Sequence, residues 1–195
     1  MRLLYTLLLC LSVQFAWAQP RSGDASLDSR LARYMALTGE KDFKGLLEYI
    51  HPGLFKIAPR EAIQKSFEEV FADPSMEIGF DSMAVRRFGA PFTTQGVEYR
   101  KVDYRMVLHL RFKDESVAKD PAFEKELVPA LKAAFESDEV VFNKKTGTVV
   151  LKKNDVLYAI RDTPSSDWTF IGYKKQKQLV EAIFLPEAIT HYKLL

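Results

Sequence analysis

Three histidines, His51, His109 and His191, are the first residues to weigh for chemistry. They stand far apart, and none shares the His-x-x-x-His spacing that places two imidazoles on one helical face. A joint metal site is not expected, and neither is a cofactor. His51 precedes Pro52 where a helical pattern stops, a position from which an imidazole can serve the negative end of a helix. Acid–base work in a pocket needs a carboxylate or histidine held away from water, where a displaced pKa makes it useful. The clearest strand pattern, Val97 to Phe112, argues against finding one there. Its even positions read Val102, Tyr104, Met106, Leu108, Leu110 and Phe112; its odd positions read Lys101, Asp103, Arg105, Val107, His109 and Arg111. A period of two sends these sets to opposite faces. The oily set is expected inside, with the Tyr104 hydroxyl as its one polar group. The ionisable set is expected on a solvated surface or a dimer contact. Asp81, Glu98 and Tyr158 are the polar groups that neighbouring elements could bring to a cavity, and no catalytic residue is assigned.

Nucleophile and phosphate motifs are missing. There is no Gly-x-Ser-x-Gly, no Gly-x-x-x-x-Gly-Lys and no Gly-x-Gly-x-x-Gly, and Cys10 is the only cysteine. Lys and Arg total 28 against 26 Asp and Glu, a balance without the basic excess of a nucleic-acid binder. The short run Lys174-Lys175-Gln176-Lys177 reads as a solvated helix start. The aromatic content, with 14 Phe and 8 Tyr, points two ways. Phe67, Phe71, Phe80, Tyr104, Met106, Tyr158 and Trp168 are candidates to line a cavity for a small apolar ligand; the same residue types fill ordinary cores.

These residues must be positioned by elements whose signals are plain. Met1-Arg2 precedes an apolar run from Leu3 to Val13, and Ala16-Trp17-Ala18 supplies small residues before Gln19. Residues 1–18 are therefore expected to be a secretion signal cleaved between Ala18 and Gln19, and the protein to be exported, to a periplasm or beyond. The run is too short to span a bilayer, and no second long apolar segment follows. Residues 19–26 read as a disordered lead-in to a single domain over 27–195. Leu27, Leu31, Tyr34 and Met35 recur at helical spacing; Asp42 caps a second helix carrying Phe43, Leu46, Leu47 and Ile50; Pro59 opens a third with Ile63, Phe67, Val70 and Phe71. A first long strand is expected over 76–88, with Gly89-Ala90-Pro91 as its turn. The Val97–Phe112 strand follows, then a helical insertion over 121–137 broken by Pro129. A hairpin over 139–152 turns at Asn143 to Gly147, and strands over 156–161 and 168–173 precede two short terminal helices. Helices first and antiparallel strands afterwards define an α+β class, with the helices on one face of a curved sheet.

The order of these segments resembles the nuclear transport factor 2-like superfamily, and more narrowly its exported bacterial members of unassigned activity. The residues that carry the resemblance are Asp42-Phe43 with Leu46-Leu47, Ile50-His51-Pro52, Phe142 to Gly147, Leu157-Tyr158-Ala159-Ile160 and Trp168-Thr169-Phe170-Ile171, over roughly 27–190. The resemblance implies a cone: N-terminal helices packed in a strongly curved antiparallel sheet, with a cavity at the wide end. Segment 121–137 departs from a minimal cone as an insertion that could cover a sheet edge or lid the cavity. Such folds host isomerases, dehydratases, cyclases and pure binding or dimer-forming modules, so fold alone does not settle activity. The leading expectation is a non-enzymatic module that binds a small apolar ligand or pairs with a protein, including itself, through the outer sheet face. An isomerase- or dehydratase-type enzyme with an acid–base pair in the cavity, and a structural dimeric envelope protein, are the alternatives.

Overall fold

The computed structural model describes residues 20–114, 121–163 and 166–195; the expected secretion signal and its cleavage point at Ala18 and Gln19, with Cys10, fall outside the described residues. The fold is α+β: a five-stranded antiparallel sheet, not closed into a barrel, with six α-helices among the described residues.

Helix α1 (Ala25–Glu40) starts at Asp24, whose carboxylate accepts the Ser26 and Leu27 N–H groups. It ends where Lys41 turns left-handed at φ 58°. The segment before it, read from sequence as a loose lead-in, is tied down. Ser22 is buried, its N–H donates to Asp28 at 2.9 Å, and its carbonyl accepts from Arg100. Helix α2 (Phe43–Leu46) is one turn long, shorter than the spacing out to Ile50 suggested. The chain leaves it because Ile50 forms a parallel bridge with Phe170: Phe170 N–H donates to Tyr49 at 2.7 Å, and His51 N–H to Phe170 at 3.0 Å. A 3-10 turn (Pro52–Lys56) and helix α3 (Arg60–Phe71), entered through Pro59, complete the first third.

The sheet contains β1 (Met76–Thr94), β2 (Val97–Phe112), β3 (Glu139–Asn143), β4 (Thr148–Arg161) and β5 (Thr169–Gly172). Their order is β1-β2-β4-β3, and β5 pairs with the far half of β4 beyond β3. Helix α4 (Pro121–Ala134), with Pro129 inside it, is inserted between β2 and β3. Helices α5 (Lys177–Ile183) and α6 (Pro186–Tyr192) end the chain. The expected turn at Gly89-Ala90-Pro91 is not one. β1 runs through it as an irregularity in register and turns instead at Gln95-Gly96, both with positive φ. Pro91 is tolerated because β1 is an edge strand, where a missing donor breaks no interior ladder. β1 slips by one residue against β2 at three places, Phe80/Ser82, Val85/Arg87 and Phe88/Pro91. These slips keep Ile78, Phe80, Met83, Val85 and Phe88 opposite the even residues of β2, so one face stays in phase from Ile78 to Phe88; nearer the turn the same face carries Arg100 and Glu98.

Call the face carrying the even residues of β2 the inner face. Two buried clusters lie on it. Leu27 and Leu31 of α1 meet Val85, Val102, Leu157, Ala159, Trp168 and Phe170 at one end. Ile78, Leu108, Leu110, Val149 and Leu151 form the other, with Leu127, Leu131 and Phe135 around the α4 end packed on them. The strand-face assignment therefore holds: Val102 and Leu110 are 0% exposed and Leu108 is 6% exposed. Helices on one face only is the expectation that fails. Tyr99 of β2 and Tyr158 and Ile160 of β4 point to the outer face and are buried there under Val180, Ile183, Phe184, Ala188 and Leu194. The outer face offered for a dimer is thus already taken by α5 and α6 at this end. The physical reason is local: the odd position 99 holds an aromatic, not a charge, and β4 is oily at both phases from Leu157 to Ile160.

Candidate functional site

The inner-facing residues of β4 read Val149, Leu151, Lys153, Asp155, Leu157 and Ala159. Apolar residues hold both ends, and a charged pair occupies the middle. Across the ladder, Met106 faces Lys153 and Tyr104 faces Asp155, which sets the pair beside the Tyr104 hydroxyl of β2. Helix α1 adds Tyr34, whose ring lies 5.1 Å from that of Phe170.

The three elements converge electrostatically. Burial pushes the Tyr34 hydroxyl up to about 12, and the Asp155 carboxylate adds to the shift. Burial also raises Tyr104, followed by Asp155 and then Tyr34. Each hydroxyl is therefore a protonated donor near a carboxylate, and neither has a hydrogen-bond partner among the described residues. Asp155 is held on both oxygens: Oδ1 accepts the Val156 N–H at 2.8 Å, and Oδ2 lies 2.8 Å from Lys153 Nζ. Lys153, whose side chain is only 12% exposed, also approaches Glu136 at 3.5 Å. Burial works against its charge, but Asp155 and Glu136 outweigh that and its pKa is raised. Glu136, just past α4, is in turn bound by Lys174 at 2.9 Å. On the opposite side of β4, Asn154 N–H and its amide bond Asp138 at 2.6 and 2.9 Å, which fixes the strand where the pair sits.

Aromatic residues flank this polar spot. Phe43 lies 5.3 Å from Phe67 and 5.1 Å from Phe71, and Phe71 stacks on Phe80 at 5.6 Å. Phe67, Phe71, Phe80, Tyr104 and Met106 are all half-buried and share the inner side. Helix α3 has no fully buried residue, and its Val70 is 54% exposed. Six of the seven cavity candidates are thus on one side, five of them half-buried near the polar pair. Trp168 is on that side but is core: its N–H donates to Asp24 at 3.3 Å and Arg161 lies 4.6 Å over its ring. Tyr158 points the other way, against Phe184 at 5.1 Å and Tyr192 at 5.0 Å.

The remaining polar candidates do not reach the inner middle. Asp103 lies on the outer face between Arg87 (2.7 Å) and Lys101 (3.4 Å). His109 lies across Gly79, where a Cβ would meet its ring at 2.2 Å, and contacts Asp81 at 2.5 Å. Glu98 pairs with Arg161 at 2.5 Å. His191 stacks on Phe92 with ring centres 4.0 Å apart. His51 does not serve a helix C-terminus. It caps the start of the 3-10 turn, its Nδ1 accepting the Gly53 N–H at 3.1 Å with Asp162 3.4 Å from Nε2. Burial depresses its pKa despite Asp162. Among the described residues no three His, Cys, Asp or Glu side chains gather as a metal site, and no helix is long and apolar enough to cross a membrane.

Sequence reasoning missed Lys153, Asp155 and Tyr34. The signal for the first two was phase: counting by twos from Val149 to Ala159 runs through Lys153 and Asp155 without a break. No protein-family model matches the chain, and no curated protein or solved structure shows significant similarity to it.

Proposed function

We propose that the protein is an exported binding module of the nuclear transport factor 2-like kind. It takes a small, mainly apolar ligand between α1, α3 and the inner face of a cone-like sheet. The single observation behind this is the polar spot in the middle of the inner face: Tyr104 opposite Asp155, with Tyr34 of α1 towards them and Phe67, Phe71, Phe80 and Met106 beside them. Apolar walls with a few convergent polar groups are the usual make-up of small-molecule sites. Two unpartnered hydroxyls donate to a carbonyl, ether or hydroxyl oxygen, and Asp155 accepts from a ligand hydroxyl or amine. The helix order and the antiparallel sheet support the cone reading, while α4 is an insertion that a minimal cone lacks.

The test is a thermal-shift screen with lipophilic alcohols and ketones. Ligands that raise the melting temperature of the parent protein lose most of that shift in Tyr34→Phe and Tyr104→Phe and keep it in Tyr158→Phe, which alters the opposite face. Equal loss in all three variants, or in none, removes the reading. A second reading, acid–base catalysis on the same ligand, is favoured by the carboxylate standing beside two protonated hydroxyls. Asp155→Asn would then abolish turnover while leaving the ligand-induced shift, whereas a pure binder shows no turnover to abolish.

A further inference from the structure

The end of the sheet farthest from α5 and α6 holds a cleft of about 890 Å3 that shares no residue with the inner-face site. Its walls are the end of β2, with Arg111 and Lys113, and the turn between β3 and β4, from Asn143 to Thr148. Four cations line it, Arg111, Lys113, Lys144 and Lys145, against one acid, Glu77. Lys144 is engaged by Glu124 at 2.5 Å. Arg111, Lys113 and Lys145 make no salt bridge among the described residues, and Asp73 interacts with Lys113 only at longer range. The turn that carries the lysines is fixed. Asn143 Oδ1 accepts the Lys145 N–H at 3.0 Å, the Asn143 carbonyl accepts the Thr146 N–H at 3.3 Å, and the Phe112 N–H donates to the Gly147 carbonyl at 3.2 Å. Positive charge is therefore presented from two sides of a preformed concavity, with the Thr146 and Thr148 side chains at its wall.

We propose that this cleft binds a compact, multiply charged phosphate-bearing ligand. A single anion would engage one cation at a time in water and bind weakly. A ligand with two or three phosphate groups engages Arg111, Lys113 and Lys145 together, the guanidinium taking two oxygens and the ammonium groups acting as point charges. Each such contact at the surface is worth about a five-fold change in affinity at low ionic strength and less as salt rises.

Inorganic tripolyphosphate is the probe, followed by calorimetry and by amide chemical shifts of the whole protein at low ionic strength. Shifts are expected at Thr146, Gly147 and Thr148. Arg111→Ser, Lys113→Ser and Lys145→Ser each weaken binding by about five-fold, and added salt weakens all of them. Lys65→Ser, an exposed cation on α3 away from the cleft, leaves it unchanged. Sedimentation with phosphatidylcholine vesicles doped with cardiolipin, whose headgroup carries two phosphates, then tells the source. Capture that tripolyphosphate reverses assigns the site to a lipid headgroup, and binding of tripolyphosphate alone assigns it to a soluble phosphate compound. Absence of tripolyphosphate binding, or equal weakening by Lys65→Ser, overturns the proposal. Tyr34→Phe and Tyr104→Phe should leave tripolyphosphate binding intact, so this site and the inner-face site fail or stand separately.

Discussion

Lys153 keeps its charge on the inner face because two carboxylates answer it, Asp155 at 2.8 Å and Glu136 at 3.5 Å. Replacing it with methionine retains the stem and leaves Asp155 half-buried without its partner. Lys153→Met should lower stability by about 1–3 kcal/mol, read as a lower urea midpoint at unchanged slope. Lys174→Met, which touches only the exposed Glu136, should shift it by less than about 0.5 kcal/mol. His51 makes a prediction of opposite origin. Its folded pKa lies below the ordinary 6.5, so the unfolded chain binds the proton more readily. The stability that neutral His51 contributes is complete above pH 6.5 and is lost as pH falls through the folded value. The urea midpoint should therefore drop between pH 7 and pH 5 and flatten over that range in His51→Asn, whose side-chain oxygen can still cap Gly53. An identical slope in the variant would assign the pH dependence to other groups.

At the scale of the element, the alternation on β2 orders two substitutions on one strand. Leu108→Asp buries an unpaired charge among Ile78, Leu110, Val149 and Leu151 and should destabilise by several kcal/mol, about 3–5. Arg105→Ser, on the outer face, should change stability by no more than about 0.5 kcal/mol. Thermal melts of the two variants that coincided would reverse the faces. Period-two reading puts Tyr104 and Met106 on the inner face, where they lie, because oily and charged residues alternate through β2 from Lys101 to Phe112. It failed on β4, where Lys152-Lys153-Asn154-Asp155 has the composition of a loop. Those residues are held extended by β2 across one ladder, by Glu139 of β3 opposite Lys152, and by Asp138 gripping Asn154. Such tertiary support leaves no mark in local propensity. Gly89-Ala90-Pro91 failed for the mirror-image reason: turn-forming residues were absorbed into a strand edge. His51-Pro52 was read as a helix end because the parallel bridge to Phe170, which ends the helix early, comes from far along the chain. Tyr158 is a cavity candidate by residue type alone; its strand is oily on both phases, and the helices after it decide which side it faces.

For the molecule as a whole, the two-sided covering of one sheet has a consequence for cooperativity. The Tyr99–Tyr158–Phe184 cluster and the α1–Trp168 cluster share β2, β4 and β5 as their common wall. Phe184 is 6% exposed and lies 5.8 Å from Tyr99 and 5.1 Å from Tyr158, so Phe184→Ala should cost about 3–5 kcal/mol. Far-UV circular dichroism, tracking all elements, and Trp168 fluorescence, tracking the other face, should fall together in that variant with one midpoint. Two separated transitions would mean that the faces unfold independently. The last consequence belongs to β1. Over 19 residues its free edge carries backbone donors and acceptors with no neighbouring strand among the described residues, a template on which a second chain could be added. The one-residue slips at Asp81, at Arg86 and before Pro91 break that template into short lengths, none of them straight enough to seed a regular cross-strand stack. The devices that keep the interior in phase therefore also guard the protein against fibrillation at high concentration.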